Sequence, residues 1–146
     1  MTYRLNRFLL LWIGVLSLLV SYGYAQEKTD ASAPAEEAKQ LTLANAAMCE
    51  SIKEYIPQNP GIVFSTAIGK ILCLTVFDPV PQKTVIYHNW YRNDELITKV
   101  KLTLKPPRWS TFSSIQLRGA DKGPWRVEIA DQEDRIHKIL RFSITD

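Results

Sequence analysis

From residue 96 to residue 104 apolar and polar side chains alternate with a period of two. Val100, Leu102 and Leu104 fall on one face, Lys99, Lys101 and Thr103 on the other. An extended strand with one wet face sorts side chains in this way, and a helix does not. The alternation returns in Trp109, Thr111, Ser113, Ile115 and Leu117, again in Trp125, Val127 and Ile129, and again in Ile136, Lys138, Leu140, Phe142 and Ile144. Residues 62–67, 71–77 and 84–91 are apolar and rich in β-branched side chains. Each run ends on a turn or breaker signal: Gly69-Lys70, Asp78-Pro79-Val80-Pro81, Arg92-Asn93-Asp94-Glu95, Pro106-Pro107, residues 119–124 and residues 131–134. Seven or eight short strands at this spacing predict an all-β, antiparallel, immunoglobulin-like sandwich over residues 42–146. No connection is long enough for a helical crossover, which favours antiparallel pairing throughout. Residues 41–47 continue as a short helix or enter the first strand.

Ahead of this pattern the chain changes character. Arg4 and Arg7 precede an apolar run over residues 8–20 that only Gly14 and Ser17 interrupt. Gly23 and Ala25 then place small side chains three and one positions before Gln26. A charged start, a short apolar core and a small-residue exit make residues 1–25 a secretory signal peptide. The run is short of the roughly 20 apolar residues that span a bilayer core; an uncleaved membrane anchor is the alternative. Residues 26–41, nearly free of large apolar side chains, read as a flexible, disordered linker. The mature chain is expected in the periplasm or outside the cell, with no membrane span after cleavage. Loss of Arg4 and Arg7 reduces the formal charge from +3 to +1. So balanced a surface excludes nucleic acid as the expected partner.

Four segments carry a family resemblance: Ile71-Leu72-Cys73-Leu74-Thr75, His88-Asn89-Trp90-Tyr91, Arg108-Trp109 with Thr111, Ser113 and Ser114, and Gly123-Pro124-Trp125-Arg126-Val127-Glu128-Ile129, with Phe142 in a last strand. In order and spacing they resemble an uncharacterised bacterial family, domain of unknown function 2914, from about residue 49 to residue 144. The chain departs from the family pattern at Ser110, Phe112 and Ile115, where a basic residue, a tryptophan and a lysine are more usual. The resemblance implies a fold and an exported address. It brings no activity with it.

Chemistry-bearing groups are sparse. Cys49 and Cys73 are the only cysteines. In an oxidising compartment an even pair points to a disulfide, worth about 3 kcal/mol for a loop of roughly 25 residues; two free buried thiols are the alternative. His88 and His137 have no partners at metal-ligand spacing, so no metal site and no cofactor are expected. No Gly-x-Ser-x-Gly elbow accompanies the serines. His88 is expected to form hydrogen bonds across its own hairpin, on the face of Ile86 and Trp90, rather than to act as a base. Trp90, Trp109 and Trp125 share strand faces with aliphatic residues, as core tryptophans do. The remaining candidate for recognition is a patch of Trp90, Arg92, Arg108, Trp109 and Arg126. The sequence therefore suggests an exported, non-enzymatic module that binds an envelope protein or glycan. The alternatives are a structural part of an envelope assembly that uses an open strand edge, and an envelope hydrolase built on His88.

Overall fold

The computed structural model describes residues 40–146. The expected signal peptide, its cleavage and the expected linker up to residue 39 lie outside the described residues. Nine strands follow: β1 (Leu43–Lys53), β2 (Ile56–Pro60), β3 (Val63–Ser65), β4 (Lys70–Phe77), β5 (Thr84–Arg92), β6 (Glu95–Leu104), β7 (Trp109–Gln116), β8 (Gly123–Asp131) and β9 (Ile136–Thr145). They form one sheet in the order β2-β1-β4-β7 and a second in the order β3-β9-β8-β5-β6. With β1, β4 and β7 on one side and β9, β8, β5 and β6 on the other, the connectivity follows the immunoglobulin pattern.

Nine strands exceed the seven or eight expected, because the β1–β2 hairpin left no signal in the sequence. Its turn places Glu54 and Tyr55 at φ 50° and 59°. Both central residues of such a turn sit in the left-handed region, where Asn and Gly are usual and Glu and Tyr are not. β2 also carries Pro57 and Pro60, which argue against a strand except at an edge, and β2 is an edge. The β5–β6 turn is the legible counterpart, with Asn93 and Asp94 at φ 46° and 65°. One pair is parallel, β3 with β9. These strands lie far apart in sequence with most of the domain between them, so no helical crossover is needed.

The core lies between the sheets, where alternation places it. Phe142 anchors the aromatic part: its ring meets Trp90 and Phe64 edge-on and stacks on Trp125, each at 6.2 Å between centroids. Ile71, Cys73 and Phe77 of β4 face Ile86 of β5 and Val127 and Ile129 of β8 within the same cluster. β4 is buried on both of its faces, as its unbroken apolar run requires, and Leu72, Leu74 and Val76 are buried as well.

The expected disulfide does not form. Cys49 pairs in register with Leu72, and Cys73 with Met48. A one-residue offset across a ladder puts two side chains on opposite faces of the sheet. Cys73 therefore points into the core, while Cys49 points outward, and both are buried and unpaired. Burial raises the Cys73 thiol pKa far above its ordinary value, and Cys49 adds to the shift; burial also raises that of Cys49, against a hydrogen bond from the Gln58 backbone. Dithiothreitol is accordingly expected to leave the thermal midpoint unchanged, with both thiols reacting with a chromogenic thiol reagent only on unfolding. A midpoint that falls on reduction would restore the bridge.

Candidate functional site

The polar groups inside the sandwich form one continuous chain. The Trp90 indole Nε1 donates to Ser113 Oγ at 2.9 Å. Ser113 Oγ lies 2.8 Å from His88 Nδ1, and His88 Nε2 lies 3.2 Å from Thr75 Oγ1. Thr75 Oγ1 donates to the Thr111 carbonyl at 3.4 Å. The carbonyl end sets the direction: Thr75 gives its one hydroxyl proton to Thr111 and can only accept from Nε2. Ser113 then donates to Nδ1, and the imidazole is the Nε2–H tautomer, donating to Thr75. Every member is satisfied, which a buried polar network requires.

Alternation puts these groups together. His88 and Trp90 are inward residues of β5, Thr75 of β4 and Ser113 of β7, so the chain of bonds crosses from one sheet to the other. The sequence expectation of a bond within the His88 hairpin is corrected here: on its own sheet the register neighbours of His88 are Val100 and Ile129, which offer only apolar side chains. His88 is fully buried, and desolvation pushes its pKa down to about 4. The Ser113–His88 pair looks like half of a hydrolase triad. However, Thr75 stands where a carboxylate would orient the ring, and both His88 and Ser113 are buried. The arrangement ties two sheets together around a neutral ring.

The five residues expected to form a binding patch do not converge. Trp90 is fully buried and offers no surface. Arg92 ends β5 and reaches Asp121 at 3.5 Å, pinning the loop before β8. Arg126 lies over the Tyr91 ring at 4.0 Å, bonds Glu128 at 2.8 Å and pairs with Asp94 in the hairpin turn. Trp125 is buried too, its indole N–H donating to the Asp121 carbonyl at 2.7 Å. Arg108 precedes β7 and Trp109 begins it, and the register of β7 with β4 places both at the Thr84 and Leu104 end of the sandwich. They lie roughly 25 Å from Arg92, at about 3.3 Å per strand residue. Trp109 is half-buried beneath Lys105. The sequence could not show this division, because distance along the two sheets depends on register.

A polar concavity of about 670 Å³ opens at the Thr84 end, beside Gln82, Asp131, Arg135 and His137. Asp131 organises the β8–β9 turn there, accepting from the Glu133 and Arg135 backbone N–H groups at 2.9 Å and from Arg135 Nε at 2.7 Å. Burial opposes its ionisation, but these bonds outweigh burial and hold its carboxyl below the usual range. Among the described residues no group of three or more His, Cys, Asp and Glu is placed to hold a metal ion.

Residues 83–144 match the family described as "Protein of unknown function (DUF2914)". The matched DUF2914 segment runs from β5 to β9. It includes His88, Trp90, Ser113 and Trp125, while Thr75 and the strand bearing Cys73 fall before it. The resemblance read from the sequence began at about residue 49, so the match is shorter. No curated protein matches the chain.

Thr75 and Ser113 are the residues that sequence reasoning left unconnected. Each is a small hydroxyl at an inward position of a strand, opposite the only histidine in an inward position of β5. The cross-sheet chain makes stability depend on pH. The His88 pKa is about 6.5 in the unfolded chain and about 4 when folded, so the unfolded state binds the extra proton between these values. Stability is full above pH 6.5 and falls by about 3 kcal/mol as pH drops toward 4. Urea unfolding across this range measures the loss, and His88→Gln is expected to flatten it. Ser113→Ala strands the indole N–H and Nδ1 together and is expected to cost about 1–3 kcal/mol at neutral pH.

Proposed function

We propose that this domain is a non-enzymatic interaction module of the cell envelope that engages a protein partner by strand addition along β7. The observation that carries the reading is the unequal guarding of the four sheet edges. β2 has five residues and two prolines, and β3 has three residues. β6 presents Lys99 and Lys101 on its wet face, with Lys99 paired to Asp134 at 3.5 Å. Short length, proline and lysine are the usual protections of an edge. β7 has none of them: its eight residues, WSTFSSIQ, contain no charge and no proline. It pairs only with β4, and no other backbone bond engages residues 109–116 among the described residues. An added strand gains affinity from main-chain hydrogen bonds and specificity from alternate side chains.

A strand edge favours a protein over a glycan, because main-chain hydrogen bonds call for a strand; Trp90 and Trp125 are buried and offer no ring to a sugar, while Trp109 and Tyr55 line a hollow of about 260 Å³. An exported address accords with residues 1–25. A photo-crosslinking side chain placed in intact cells at Ser114, at Gln58 or at Ile139 tests the reading. Adducts to protein from position 114, and none from 58 or 139, are the expected result. Equal labelling from all three positions contradicts it.

A further inference from the structure

The surface of β7 also bears on which strand it takes. We infer that the occupant of the β7 edge is the β7 edge of a second copy, joined antiparallel about a two-fold axis at Phe112. This rests on the strand-addition reading above and commits it to one partner.

Ser113 points into the core, bonded to His88 and Trp90. Its neighbours Phe112 and Ser114, and with them Ser110, therefore face outward. Phe112 is 46% exposed. In an antiparallel pair about a two-fold axis normal to the sheet, directly opposed residues must lie on the same face. Any residue of β7 placed on the axis meets this condition, and Phe112 is the outward aromatic of the strand. Centring the pair there sets Phe112 against Phe112 of the copy, and Ser110 against Ser114 on either side. Aromatic pairs directly across a ladder stabilise it, and serine pairs are neutral to favourable. No like charges meet anywhere along the eight residues, because β7 carries none.

The neighbouring edge gives the contrast. Antiparallel self-pairing of β6 about Val100 would set Lys99 against Lys101 of the copy, and like charges directly opposed destabilise a ladder. β6 therefore refuses the contact that β7 accepts. The two-fold product is a continuous eight-stranded sheet, and a closed pair leaves no β7 edge free for further growth.

Sedimentation velocity of the chain as cells produce it tests the inference. The expected result is a concentration-dependent monomer–dimer equilibrium. Phe112→Lys places like charges across the axis and is expected to give monomer alone, with the thermal midpoint retained. In a second variant, Phe112→Cys, a short bismaleimide is expected to yield a covalent dimer, whereas Ile139→Cys yields none. A chain that is monomeric throughout overturns the inference; if position 114 still crosslinks another protein, strand addition survives without self-pairing. A dimer unaffected by Phe112→Lys overturns it as well, because association then runs through another surface.

Discussion

A neutral imidazole with both nitrogens bonded to the opposite sheet holds this sandwich in register. Most of the interior is aliphatic and aromatic and would tolerate small slides of one layer over the other. The Trp90–Ser113–His88–Thr75 chain does not, since a slide leaves several buried donors and acceptors unpaired at about 1–3 kcal/mol each. The immunoglobulin pattern often sets a disulfide near a buried tryptophan on the strand equivalent to β5. Here Trp90 occupies that strand and Cys73 faces the core from β4, but β8 contributes Val127 and Ile129 rather than a thiol. A hydrogen-bonded chain takes the place of a covalent link, and it is sensitive to acid where a disulfide is not.

The same pin decides what the surface offers. Because Ser113 is held inward, Phe112 and Ser114 are fixed outward on an edge strand that carries no charge and no proline. The arginines nearest the tryptophans are spent on the fold itself. Arg92 and Arg126 fasten the β5–β6 turn and the β7–β8 loop to neighbouring strands. On the strand-addition proposal, recognition falls to the β7 backbone edge.

Much of the fold was legible because alternation of period two is a direct image of a half-buried strand. β6, β8 and β9 follow it almost residue by residue, and Asn93-Asp94 announced its turn. β2 was hidden by its prolines and by a turn built from Glu54 and Tyr55. Residue parity was the unused clue for the cysteines: counting them as a pair suggested a bridge, whereas register sends Cys49 and Cys73 to opposite faces. The core chain was half visible. His88 and Trp90 lay on an inward face in the sequence, yet their partners come from strands 13 and 25 residues away, and only the packing of sheet on sheet reveals them. The dispersal of the five expected patch residues was hidden for the same reason, because tryptophans with neighbouring arginines look alike whether the ring is exposed or enclosed.

The state of His88 tests the account most directly. Nitrogen NMR of the folded chain reports which ring nitrogen carries the proton and follows its titration. A ring that stays neutral through pH 6, with the proton on Nε2 and Nδ1 accepting from Ser113, is the predicted result. An imidazole that protonates near its ordinary value of 6.5 would contradict a histidine enclosed in the cross-sheet chain.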